Sequence, residues 1–232
     1  YFPNVSHAND ITIKQMLTMT SGLTNSDYTP QTNMTEDEAY QNMLKRMGSN
    51  GSTSYDTSDA NYVLLAAIIS HITGESYEQN LKTRIFDKVG MHHTIIAGSR
   101  TGNLVLAQGY GVKGSKNYGI SKPLPVQLQT TIPGAGNLFS TVSDYFAFQK
   151  GLSNGQILSS HQLKTLMSYG KDYSGGFFTQ TPAGIKRMHG SFGGTGINTD
   201  VYADVNNRHG AISFLNQTPL ANDTSSAEFA QK

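Results

Sequence analysis

The chain has 232 residues and a mass of 25.1 kDa, long enough for one generous domain that buries its core without staples. Its 17 basic and 16 acidic residues leave a net charge of +1, which excludes the basic footprint of a nucleic-acid binder, and no polybasic run suits an anionic membrane surface. Cysteine is absent, which excludes disulfides and thiolate zinc sites; 24 Gly and 23 each of Ser and Thr mark a loop-rich chain, and 12 Tyr with 10 Phe supply the aromatic mass of a globular core.

In chain order, Asp10-Ile11-Thr12-Ile13 opens a helix through Leu17, with Asp10 as its expected cap, Ile13, Met16 and Leu17 on one face, and Ser21-Gly22 as its end. Thr35-Glu36-Asp37-Glu38 has the form of a capping box and predicts a second helix to about Met47. Asn61 to Ile72 is apolar nearly all round and predicts a buried core helix stopped by Gly74. Its longest apolar run, 60–69, is too short to cross a bilayer. Ser76 starts a helix to about Phe86, and residues 98–129 are Gly-, Lys- and Ser-rich with short strand-like pieces. A further helix follows Ser140-Thr141 and stops at Gly151; another starts at Ser159 or Ser160. From Gly175 the texture becomes β, with strands expected over 176–178, 199–203 and 210–215. Helices first and a meander last imply an α+β fold in a single domain: a mainly helical 1–174, a β-meander 175–216 and a tail 217–232.

Several motifs carry little chemistry. Gly109-Tyr110-Gly111-Val112-Lys113-Gly114 fits G-x-G-x-x-G but lacks the helix that a dinucleotide site needs after it. His92 and His93 are adjacent and cannot serve one metal from one helix face, and no carboxylate cluster accompanies any histidine, so neither metal nor cofactor is expected. Ser168-Tyr169-Gly170-Lys171 is the only Ser-x-x-Lys, in a Gly-broken context that argues against a helix. The sequons at Asn4, Asn33, Asn50, Asn216 and Asn222 are what so Asn- and Ser/Thr-rich a chain yields by chance. The run from His189 through Gly190-Ser191-Phe192 to Gly196 is read two ways: as backbone that approaches a ligand and offers N–H groups to an oxyanion, or as a Gly-rich hairpin with an incidental histidine.

Taken together, the segments resemble the serine β-lactamase-like family of class C β-lactamases, D-Ala-D-Ala carboxypeptidases and related esterases. Tyr1-Phe2-Pro3 with the stretch from Ile11 to Leu23 is similar to the family's "YLP…ITIRHLLSHTSGL". Ser58 to Gly74 is similar to "YSNxNYxLLGxIIExxTG", Ile85 to Thr94 to "IFxPLGMxxT", and Pro133 to Asp144 to "PAGGLxSTxxDL". His189 opens a stretch that resembles the Lys/His-x-Gly strand.

The resemblance implies a β-lactamase/transpeptidase-like sheet flanked by helices, and a Ser-x-x-Lys serine that attacks an acyl carbonyl. That motif belongs a few tens of residues before the "YLP" segment. The chain opens on Tyr1, with no leader or lipidation pattern, so we expect the nucleophile and the first helix and strands of the family sheet to lie outside it. The family's Tyr-x-Asn falls on Thr57, Ser58 and Asp59, with Tyr55 two residues earlier as the available phenol. Catalytic roles are thereby implied for Thr57, Ser58, Asp59 and His189, and substrate contacts for Tyr55, Gly190, Ser191 and Phe192. Two functions follow. One is acyl-enzyme hydrolysis of a small peptide or ester substrate, with cell-wall D-Ala-D-Ala as the expected example, at a bacterial surface; the other is non-catalytic binding of a cell-wall peptide or partner protein. An uncovered sheet edge would also favour self-association.

Overall fold

The computed structural model describes residues 1–99, 105–113, 117–122, 126–178, 185–192, 197–204 and 209–217. The helical part begins with α1 (Ile13–Leu17), α2 (Glu36–Arg46) and α3 (Asp59–Thr73); the short strands β1 (Leu23–Asn25) and β2 (Met47–Ser49) pair antiparallel between them. Thr12, not Asp10, caps α1: its hydroxyl accepts from Gln15 N–H while the Gln15 side chain accepts from Thr12 N–H. The Asp10 carboxylate lies too far upstream to reach the first-turn donors. The Thr35–Glu38 box forms as expected, with Thr35 N–H on Glu38 Oε2 at 2.8 Å.

Helix α3 is the central element of this half. Ala60, Val63, Leu64, Ala67 and Ile68 are buried against Met16, Leu23, Tyr40 and Met43. Its burial is one-faced rather than complete, because Ile69 and Ile72 of the apolar run are exposed. Gly74 ends it at φ +70°, a left-handed turn that glycine adopts without a Cβ penalty. The next helix, α4 (Tyr77–Leu81), passes through a π-turn at Lys82–Phe86 into α5 (Asp87–Val89), so it runs past the expected end.

The strands β3 (Ile95–Ile96) and β6 (Leu138–Phe139) form one small ladder, and β4 (Gly109–Lys113) and β5 (Asn117–Lys122) form another. The G-x-G segment is therefore one arm of a hairpin; its last glycine lies outside the described residues. After α6 (Val126–Gln129) come α7 (Val142–Ser153), capped by Thr141 and running two residues past Gly151, and α8 (Ser160–Met167), capped by Ser159. Buried Asp144 accepts His93 N–H at 2.7 Å and the Thr94 hydroxyl at 2.8 Å, which gives the His92-His93 turn a structural role.

The principal sheet has five antiparallel strands in the order β11-β10-β9-β8-β7. They are β7 (Tyr173–Ser174), β8 (Phe177–Phe178), β9 (Ile185–Phe192), β10 (Ile197–Asp204) and β11 (Gly210–Leu215). The expected meander gains β7 and the long β9, whose Gly-Ser and Lys-Arg content weakens its strand pattern. Gly175 and Gly176, both at positive φ, make the two-residue turn between β7 and β8. One sheet face packs on α7: Gln149 donates to Met188 Sδ at 3.1 Å, and the Tyr145 ring meets Phe214 at 5.8 Å. Among the described residues the outer edge of β11 pairs with no further strand over Gly210–Leu215, and just beyond it Gln217 bridges Tyr110 of β4. No helix among them is long and apolar enough to cross a membrane.

Candidate active site

The other face of the sheet is polar. Side chains alternate along a strand, so residues paired across neighbouring strands share a face. Phe178 pairs with Arg187, Arg187 with Tyr202, and His189 with Asp200, which places all five on one side. Asp200 is fully buried. Its Oδ1 accepts Arg187 Nε at 3.1 Å and Nη2 at 2.8 Å, and lies 3.0 Å from His189 Nδ1. The Arg187 guanidinium also stands 5.4 Å from the centre of the Phe178 ring and 5.6 Å from that of Tyr202, where the ring quadrupoles favour a cation. His189 itself is part-buried, with the Phe178 ring edge-on at 6.4 Å.

From the helical half, the loop before α3 approaches the same region through aromatic rings. Tyr55 faces Tyr173 at 6.3 Å, and Tyr173 meets Phe178 edge-on at 5.2 Å. Tyr55, Tyr173, Phe178 and His189 thus form a continuous chain of rings from the loop to β9. Tyr62 braces it from α3, edge-on to Tyr173 at 6.2 Å, while its hydroxyl donates to the Leu17 carbonyl at 3.2 Å. Burial pushes the Tyr62 and Tyr173 phenols up, and burial followed by the Asp172 and Asp56 charges pushes up Tyr55. All three therefore stay neutral phenols rather than phenolates at ordinary pH.

The remaining residues implied by the resemblance separate into two groups. Ser58 precedes α3, but its hydroxyl donates to Asn25 Oδ1 at 2.6 Å, and the same oxygen accepts Ala60 N–H at 3.3 Å. Asn25 thereby substitutes for the missing side-chain cap of α3 and holds the loop against β1. Thr57 is exposed. Asp59 keeps an exposed rim, yet the protein packed around it pushes its carboxyl up, against the opposing pull of Arg46. Gly190, Ser191 and Phe192 continue β9, their backbones paired with Thr199, Asn198 and Ile197; residues 193–196 lie outside the described part. Ser168 closes α8 with its hydroxyl donating to the Thr165 carbonyl at 2.8 Å, and Lys171 lies beyond the helix, so the internal Ser-x-x-Lys has no helical register.

Arg187, Asp200, Tyr173 and Phe178 were not singled out by sequence. A charge inside Thr199-Asp200-Val201-Tyr202-Ala203 is a signal in itself, because an unpaired carboxylate in a strand interior is costly. Its partners, 11 and 13 residues earlier, follow only from the register. No group of three or more His, Asp or Glu side chains among the described residues forms a metal site.

Comparison with known proteins agrees with this architecture. The chain is 29% identical over 202 residues to PbpX of Bacillus subtilis (strain 168), named as a penicillin-binding protein, with 85% of this chain and 49% of PbpX covered. It is 30% identical over 146 residues to the teichoic acid D-alanine hydrolase of Staphylococcus aureus, covering 59% of this chain and 34% of that protein. The chain thus spans half the length, or less, of these curated relatives. The crystal structure of FmtA from Staphylococcus aureus superposes with a TM-score of 0.75 at 24% identity, over 93% of this chain and 58% of FmtA, a likeness of fold. The Beta-lactamase family model matches residues 1–231, and the chain belongs to that family of serine hydrolase-like proteins, with a mixed α+β, β-lactamase/transpeptidase-like fold.

Proposed function

We propose that this chain forms the substrate-side part of a serine hydrolase that opens a peptide or ester carbonyl through an acyl-enzyme, with the nucleophile supplied by residues outside these 232. The observation that carries the reading is the ring chain from Tyr55 to His189, which links the pre-α3 loop to β9 through Tyr173 and Phe178. A neutral phenol and an imidazole on opposite sides of a reacting carbonyl supply donor and acceptor without a metal. Tyr55 takes the role that Thr57 cannot, since an aliphatic hydroxyl is a far weaker acid than a phenol. The name of the Staphylococcus aureus relative, a teichoic acid D-alanine hydrolase, supports a D-alanyl ester or amide as the substrate class, and a bacterial cell-surface location is part of the same reading. Thr57 at the family tyrosine position favours a second reading, a non-catalytic binder of the same cell-wall groups.

The test uses the full-length protein and a serine-acylating probe, read by intact mass. The hydrolase reading expects a single added probe unit and turnover of a nitrophenyl D-alanyl ester. Tyr55→Phe should lower kcat/KM about 100-fold, while Thr57→Val changes it less than about threefold. No adduct and no turnover would leave the binding reading.

A further inference from the structure

We infer that Asp200 is the positioning residue for His189, fixing its ring as the Nδ1–H tautomer and presenting Nε2 as a hydrogen-bond acceptor; this rests on the hydrolase reading above. Asp200 Oδ1 receives two guanidinium N–H groups of Arg187 and faces His189 Nδ1 at 3.0 Å. A carboxylate held by an arginine only accepts. Were the ring proton on Nε2, the Nδ1 lone pair would face an oxygen of the fully buried Asp200 carboxylate, a lone-pair repulsion in place of a hydrogen bond. The proton of the uncharged ring therefore sits on Nδ1, and the bare nitrogen is on the edge turned away from Asp200. The antiparallel register sets this contact, pairing His189 directly with Asp200. The Phe178 ring, edge-on to His189 and under the Arg187 guanidinium, limits rotation of the imidazole.

An acceptor at Nε2 selects a substrate or nucleophile group that brings its own N–H or O–H. A lysine at the same place would bring only donors. His189 and Asp200 thus divide the work: one touches the reacting groups, the other acts only through the ring.

Two-bond 1H–15N spectra of the histidine rings in the full-length protein read the tautomer directly, at a pH where the rings are uncharged. His189 is assigned by the signal lost in His189→Gln. The expected wild-type pattern is a protonated Nδ1 and a bare Nε2. In Asp200→Ala the proton should move mainly to Nε2, with kcat for the nitrophenyl ester falling at least about tenfold and KM changing less than about twofold. A wild-type ring protonated on Nε2 overturns the inference, and so does an Asp200→Ala protein that keeps the Nδ1 proton. If Asp200→Ala does not fold, the wild-type tautomer alone decides. A protonated Nδ1 in a full-length protein that hydrolyses nothing would sustain the positioning role and remove the hydrolase reading.

Discussion

Around α3 the buried side chains are mainly apolar: Met43, Val63, Ala60 and Leu64 are at most 4% exposed, with Asn61 the buried polar residue on the helix itself. On the Arg187–His189 face of the principal sheet, the most buried side chain is a carboxylate, Asp200. Apolar packing is non-directional, and small shifts of α3 against α2 keep most of its burial. The polar face has no such latitude. A one-residue slip of β9 along β10 would carry both His189 and Arg187 to the opposite face, away from Asp200. The helical half is therefore where stability is expected to concentrate, and the sheet face is where geometry is specified.

The largest expected effect tests the first part of this contrast. Met43→Ala removes a fully buried side chain from the α2–α3 contact and should cost about 3 kcal/mol in urea unfolding, with its m-value unchanged. A cost under about 1 kcal/mol would mean that this core relaxes to fill the space. Asp200→Ala comes next, at about 2 kcal/mol, because it leaves the part-exposed Arg187 and His189 donors unpaired. The double variant Arg187→Leu/Asp200→Leu should recover at least half of that loss, since the replaced charges no longer need each other. Failure to recover would show that the pair is net stabilising, and that the polar face stores stability of its own.

Smaller effects probe the local signals of the helical half. Thr35→Ala should cost about 1 kcal/mol by removing the cap of α2. The backbone and hydroxyl bonds from Thr35 also hold the Glu38 carboxyl below its ordinary value of 4.5. The folded value is thus the depressed one, so this contribution is present above pH 4.5 and is lost as the pH falls through the folded value. The gap between wild type and Glu38→Gln in acid titrations of thermal stability should narrow below pH 4.5. A gap that widens instead would assign Glu38 a different partner.

Chain-local signals were the legible ones. The Thr35 box, the α3 segment with its Gly74 stop, and the Ser159 start all depend on groups within four residues of one another, so they could be read along the chain. Asp10 was misread as a cap because two candidate oxygens stood two residues apart, and only the backbone path decided that Thr12 meets the Gln15 N–H. The pre-α3 loop and His189 were legible through family resemblance. What Ser58 does was not, because its partner Asn25 lies 33 residues away.

The sequence by itself determined the family, the α+β order of elements and the positions of most helices, because capping and hydrophobic period act over a few residues. Only the tertiary structure decided that Tyr55 reaches His189 through Tyr173 and Phe178, and that Asp200 serves both Arg187 and His189. Those contacts span 11 to 118 positions (Asp200 to His189, Tyr55 to Tyr173). They exist because strand register and the docking of a loop on a sheet bring distant residues together, and no local pattern encodes either.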